Sequence, residues 1–206
     1  MELKVRSATP DDVEALCQTF FSSFGNETIA TRCFPSTAAS SWHFWRKNMA
    51  DDLQALGTHF IVVDDVSTVP PTMAAFGQWR FMASGADIQQ PPSKSEWPED
   101  GDQELAALFF DDMWRKHKDI MGDRPHWYLE LLSTRNEYQR KGIGRILLQW
   151  GIDKADADGL ECYLGSTPQG KGLYEKFGFK EVKEAGNFTL DGVVIETYMR
   201  RDKQRE

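Results

Sequence analysis

Tyr128-Leu129-Glu130-Leu131-Leu132-Ser133-Thr134, a short polar link, and Gln139-Arg140-Lys141-Gly142-Ile143-Gly144-Arg145-Ile146-Leu147-Leu148 place a strand, a basic glycine-bearing turn and a helix in immediate succession. Apolar residues at 143, 146, 147 and 150 have the spacing of one helix face. The first N–H groups of a helix have no partner inside it, and they point at whatever lies ahead. With the partial positive charge of the helix end they form an anion site. Gly142 and Gly144 have no Cβ, so a phosphate can approach the main chain closely. Arg140, Lys141 and Arg145 add positive charge. Two glycines at a helix start also serve a purely structural turn, so the feature alone leaves both readings open. No Gly-Lys-Ser/Thr follows and no GxGxxG occurs, which sets aside a P-loop nucleotidase and a dinucleotide fold.

Outward from this stretch, strand and helix patterns alternate. Leu3, Val5 and Ser7 alternate with Lys4 and Arg6, and Thr9-Pro10-Asp11-Asp12 then caps a helix carrying Val13, Leu16, Cys17, Phe20 and Phe24. A second helix is expected over 37–52, with Trp42, Trp45 and Met49. Strand-like runs at 59–65 and 73–82 flank Pro70-Pro71, as in a hairpin. Residues 83–103 form a surface loop, followed by a helix with Leu105, Leu108, Phe109, Met113 and Trp114 that ends near Gly122. After the strand 126–134 come a helix at 142–157, a strand at 160–164, a short helix at 170–177 and strands at 179–183 and 193–200. This order predicts an α/β (α+β) chain with one mixed central sheet and a single domain over 1–206.

Composition agrees. The 206 residues are 40% apolar and 27% charged, which is ordinary globular usage. Lys+Arg number 24 against Asp+Glu 32, a formal charge of −8, so nucleic acid and membrane surfaces are not expected partners and a protonated amine is. Three cysteines with no CxxC pairing, and an N-terminus without an apolar signal core, fit a reducing cytoplasmic setting. No apolar run approaches a membrane span. The four histidines, His43, His59, His117 and His126, are scattered, and no metal site is expected.

Gln139-x-x-Gly142-x-Gly144 after a strand resembles the Gln/Arg-x-x-Gly-x-Gly/Ala signature of the GCN5-related N-acetyltransferases (GNAT). Leu173-Tyr174-Glu175-Lys176-Phe177-Gly178-Phe179 is similar to that family's late Leu-Tyr-x-x-Gly/Phe-Gly-Phe motif. The two motifs occur in the family's order with a strand between them, and the likeness spans 126–180. His126-Trp127-Tyr128-Leu129 resembles the puromycin N-acetyltransferase-like branch over four residues.

The resemblance implies a sheet with helices on both faces and a splayed pair of parallel strands that admits acetyl-CoA. The pantetheine arm would pair with the backbone of Leu132, Ser133 and Thr134. The pyrophosphate would lie on Gln139, Arg140, Lys141, Gly142, Ile143, Gly144 and Arg145. Tyr174 would protonate the departing thiolate, and an N–H freed by a bulge near Leu132 would hold the oxyanion. Many family members carry Asn and, three residues later, Ala where this chain has Thr167 and Gly170, so Ser166 or Thr167 would contact the pantetheine instead.

Other residues have two readings each. Glu130 among leucines is a candidate general base, or a carboxylate that alternation turns to solvent or a cation. Tyr174 is also readable as a core anchor. Phe20, Phe21, Phe24, Phe34, Trp42 and Trp45 wall an acceptor pocket or simply fill the core. Cys33 and Cys162 have no base placed beside them as acyl carriers would need. The stretch 83–125 is an insertion that covers the acceptor or fills a gap. The resulting expectation is acetyl transfer to a primary amine of a small molecule by direct attack. A CoA-binding sensor without turnover and a ligand-free interaction domain are the rivals.

Overall fold

The computed structural model describes residues 1–204. The chain opens with β1 (Leu3–Ser7), whose Arg6 reaches Asp12 through 2.7 and 2.8 Å hydrogen bonds and Asp64 at 2.7 Å. Thr9 and Asp12 form a reciprocal capping box at the turn Pro10–Asp12 that leads into α1 (Val13–Phe24). Then come α2 (Thr28–Cys33), α3 (Ala39–Gln54), β2 (Thr58–Asp65) and β3 (Thr72–Met82). After the loop comes α4 (Gln103–Met121), capped by Asp102 and closed by Gly122 at φ 58°. The second half holds β4 (His126–Thr134), α5 (Ile143–Asp158), β5 (Glu161–Ser166), α6 (Pro168–Lys176), β6 (Lys180–Glu181), β7 (Phe188–Leu190) and β8 (Val193–Arg201).

The strands form one mixed sheet in the order β1-β2-β3-β4-β5-β8-β6, with β7 on β8. Every contact between neighbours is antiparallel except β4 with β5, which is parallel. On one face α1 to α4 bury Leu16, Phe20, Phe34, Trp45, Met49 and Phe109 against Phe60, Val62 and Phe76. On the other, α5 and α6 bury Leu147, Leu148, Ile152 and Tyr174 against Trp79, Leu129, Leu164 and Met199. The expected α/β chain with helices on both faces is the observed one.

Two short elements escape periodicity, α2 and β7, because six and three residues span too few repeats to show one. The strand expected at 179–183 shortens to Lys180–Glu181, since the chain turns through Lys183–Ala185 to Gly186 at φ 69°.

α5 lies very close to β3. A Cβ at Gly151 would run into the Trp79 indole, whose Nε1 donates to the Leu147 carbonyl at 3.2 Å. Gly151→Ala is therefore expected to destabilise the fold by about 2 kcal/mol, because neither the fully buried indole nor the helix has room to retreat. A thermal melt checks this; an unchanged Tm would mean the helix shifts freely.

Candidate active site

The site starts where the two parallel strands part. β4 and β5 pair from His126 with Glu161 to Leu129 with Leu164 and no further, while β4 continues to Thr134 and β5 to Ser166. From Glu130 on, one edge of β4 is open. Leu131 opposes Gln78 and Leu129 opposes Trp79, so Glu130 is the extra residue of a bulge. The bulge expected near Leu132 thus falls two residues earlier.

Donor directions past the bulge follow from alternation. Arg135 N–H donates to the Ala74 carbonyl in the β3 direction, whereas Thr134 N–H points the other way and donates to Ser23 Oγ at 3.2 Å. Two residues back, Leu132 N–H also faces the open edge. Ser133 faces β3, and its Oγ is buried without a partner. Of the three residues expected to meet a ligand, Leu132 offers the free main-chain group, and Thr134 is already held by α1.

The basic turn adjoins this gap. Arg140 at φ 59° and Gly142 at φ 82° are both left-handed, an arrangement that brings successive N–H groups to one side. Gly142 is the N-cap of α5 and has no side chain to cap it, so the N–H groups of Ile143 and Gly144 have no capping partner, while Arg145 N–H donates to the Gly142 carbonyl at 3.1 Å. Gly144 packs within 3.5 Å of Leu173 and 3.9 Å of Leu132, measured from where a Cβ would stand, which draws turn, β4 and α6 together. Arg140, Lys141 and Arg145 are exposed, and among the described residues none of them has a carboxylate within ion-pair distance. Ile143 is buried and anchors the turn. Gln139 is a brace: its Nε2 donates to the Thr134 carbonyl and to Asn136 Oδ1, both at 3.1 Å.

Across the gap, Ser166 is buried and its Oγ donates to the Thr167 carbonyl at 2.8 Å. Thr167, at the N-cap of α6, makes no capping bond with its hydroxyl and is half-buried. Tyr174 is buried with its ring edge-on to Phe179 at 6.0 Å, and burial raises its phenol well above the ordinary value, so it keeps its proton.

Glu130 is committed to a cation. Arg80 Nε pairs with its Oε2, to which Gln78 Nε2 also donates at 2.7 Å, and Arg80 Nη2 meets Asp52 at 2.7 Å. Of the two readings of Glu130, the cationic neighbour is the one observed. The other candidates are settled by burial. Burial pushes the thiols of Cys17, Cys33 and Cys162 up to about 12, which leaves them unreactive, and all three are free. Trp45, Phe20 and Phe34 stack among themselves as core, while Phe24 and Trp42 are only partly buried.

Sequence reasoning missed two features. His117 of α4 and His126 of β4 share a 2.7 Å hydrogen bond between their Nε2 atoms, and burial lowers His117 to about 2; both are neutral and structural. The second is Glu196 in β8, a 6% exposed carboxylate at the mouth of the gap. Its signal was a lone acid in an apolar strand, the signal that drew attention to Glu130. No group of three or more His, Cys, Asp or Glu able to hold a metal occurs among the described residues.

Residues 87–179 match the model of the Acetyltransferase (GNAT) family. A curated relative from Ajellomyces capsulatus, named "Probable acyltransferase SID5", is 27% identical over 106 residues, which is 52% of this chain and 70% of the relative. The fold resembles histone acetyltransferase HPA2 and related acetyltransferase from Corynebacterium glutamicum, with a TM-score of 0.67 at 18% identity over 100% of this chain and 99% of that one. It also resembles the PaiA N-acetyltransferase of Thermoplasma acidophilum in complex with coenzyme A, with a TM-score of 0.58 at 17% identity over 98% and 99%. A third likeness is arylalkylamine N-acetyltransferase 2 from Aedes aegypti, with a TM-score of 0.66 at 11% identity over 98% and 99%. At these identities the solved structures speak for the fold alone. With the two motifs on either side of the parted strands and the family match across them, residues 87–179 belong to the GNAT family of acetyltransferases.

Proposed function

We propose that this chain transfers the acetyl group of acetyl-CoA to a primary amine on a small molecule, by direct attack. The observation that carries the reading is the parting of β4 and β5 after Leu129 and Leu164, beside the uncapped, basic start of α5. An extended pantetheine arm fits the open edge of β4 as an added strand, with Thr167 on the opposite side. The pyrophosphate lies on the open N–H groups of the turn 140–144, where the side chains of Arg140, Lys141 and Arg145 neutralise it. The coenzyme A bound to the PaiA structure supports this choice of donor.

Acetyl transfer then needs few groups. The amine lone pair attacks the thioester carbonyl, Leu132 N–H steadies the oxyanion, and Tyr174 delivers a proton to the leaving sulfur. Direct attack is favoured over an acyl-enzyme because the three thiols are buried and protonated. A small amine acceptor fits the acidic surface, and it fits the half-buried rings of Phe24, Phe110 and Phe188 on the face opposite α5. His126-Trp127-Tyr128-Leu129 lies in the buried part of β4.

An amine panel with detection of free thiol tests the function. Release of thiol that depends on an amine supports transfer. Stabilisation by CoA without thiol release would make the chain a CoA-binding module, and no thermal shift with CoA would remove the donor site altogether. Saturating CoA at a hundred times its Kd should stabilise the fold by about 2.7 kcal/mol.

Gly142→Val probes the turn itself. A β-branched residue is strained at φ 82°, although nothing lies within 4 Å of the added Cβ, so the N–H array should tilt while the core stays intact. A roughly tenfold rise in the Kd of CoA, or about 1.4 kcal/mol, is expected by calorimetry. An unchanged Kd would place the pyrophosphate elsewhere.

A further inference from the structure

Glu196 stands at the far side of the same gap. Its residue is 6% exposed, and it lies over Gly165, the first residue of β5 beyond the last pair with β4. Gly165 has room for no side chain, because a Cβ there would collide with the Glu196 carboxylate. Neither a hydrogen bond nor a cation from the described residues meets that carboxylate. The contrast with Glu130 is complete, since Glu130 has Arg80 and Gln78. A buried carboxylate without a partner is costly, and the cheapest remedy is a cation that arrives with a ligand.

The titratable groups coupled by charge to Glu196 are acidic or phenolic. Glu27, at the turn between α1 and α2, adds a second negative charge. Tyr128 from β4, Tyr163 from β5, Tyr174 from α6 and Tyr198 from β8 all feel its charge, and Tyr198 is itself hydrogen-bonded to Asp112 of α4 at 2.7 Å. The Glu196 charge, together with burial, raises the phenol of Tyr174, the residue assigned to the leaving sulfur. Phe188 pairs with Glu196 across β7 and β8, and Glu27 follows Phe24 by one turn, so each carboxylate has an aromatic neighbour for the apolar part of an amine.

We infer that Glu196, with Glu27 opposite, holds the ammonium group of the acceptor and takes the proton it must shed before attack. This assignment rests on the acetyl-transfer reading above. One of the three ammonium protons passes to the Glu196 carboxylate and on to solvent. The nitrogen lone pair then forms the C–N bond. The C–S bond breaks, and its electron pair stays on sulfur, which takes the Tyr174 proton. The second proton leaving nitrogen restores the phenol. Ammonium and thioester become amide, free thiol and one released proton.

Burial, reinforced by Glu27, pushes the Glu196 carboxyl up to about 8. Its folded value therefore exceeds its unfolded one, and the stability it permits at acid pH is lost as pH rises through that value. Glu196→Gln should thus melt higher than the wild type at about pH 8 and close to it at about pH 5. In wild-type kcat/KM an acid limb should appear near pH 8, the same for two amines of different basicity. Glu27→Gln should move that limb to lower pH, because it removes a repelling charge.

The decisive experiment uses the full chain with saturating CoA and adds butylamine, spermidine or phenethylamine, with butanol as the uncharged control. At least one amine should raise the wild-type Tm and butanol should not. In Glu196→Gln that shift should vanish while CoA binding is unchanged, and kcat/KM for amines should fall about a hundredfold with loss of the acid limb. A shift that survives in Glu196→Gln, a limb that follows the basicity of the amine, or no shift with any amine overturns the assignment. Thiol release is scored separately: an amine shift lost in Glu196→Gln without turnover in the wild type keeps the ammonium site and overturns the transferase reading.

Discussion

Tyr174→Phe is expected to lower kcat about a hundredfold while the Kd of CoA stays within about twofold of the wild type. A thiolate that leaves into a buried cleft is costly without a nearby proton donor, and the phenol of Tyr174 is the donor proposed above. Its ring is fixed by Phe179 and by Gly170, where a Cβ would stand 2.9 Å from Cε2. Phenylalanine keeps those contacts and removes the hydroxyl alone. Steady-state kinetics beside CoA calorimetry separate the two effects. Equal losses in both would make Tyr174 a packing residue, and no loss in either would end its role as the acid.

Arg80→Met carries the largest expected effect on stability. Arg80 joins Glu130 of β4 to Asp52 of α3 and also donates to Thr58 Oγ1 at 3.1 Å. Desolvation pushes the Glu130 carboxyl up and Arg80 opposes it, so without the guanidinium two half-buried carboxylates would face each other with only Gln78 between them. Breaking a buried pair from one side costs about 3–5 kcal/mol, and the partial exposure of both carboxylates brings the expectation to about 3 kcal/mol. The urea midpoint measures it. Adding Glu130→Gln to Arg80→Met should recover part of the loss, whereas an unchanged midpoint in Arg80→Met would show that solvent already screens the pair.

The same network explains why a reading of Glu130 as a base was attractive and incomplete. A lone acid among leucines marks a buried charge, and nothing in the sequence says which charge answers it. Arg80 lies 50 residues away, and its pairing follows from the register of β3 on β4. Glu196 carried the same local signal and met no cation, because β8 delivers it to the place where β5 has lost its neighbour. The bulge was misplaced by two residues for a related reason. A bulge is a mismatch between two strands, and one strand alone shows no sign of it.

Gln139 illustrates a subtler gap. Its place in the motif was evident, yet its side chain braces the loop against Thr134 and Asn136. Thr134 was expected to offer its amide to a ligand, and Ser23 from α1 already accepts it.

The sequence alone determined the order of the longer elements, the glycine turn, the tyrosine of the late motif and the family resemblance. These depend on periodicity, on backbone angles that glycine adopts most readily, and on spacing within a few dozen residues. Only the tertiary structure decided which carboxylate is neutralised and which is left unpaired, where the strands part, and which amides remain free. Each of those is a property of two segments brought together from far apart in the chain, so it does not exist until the sheet has closed its register.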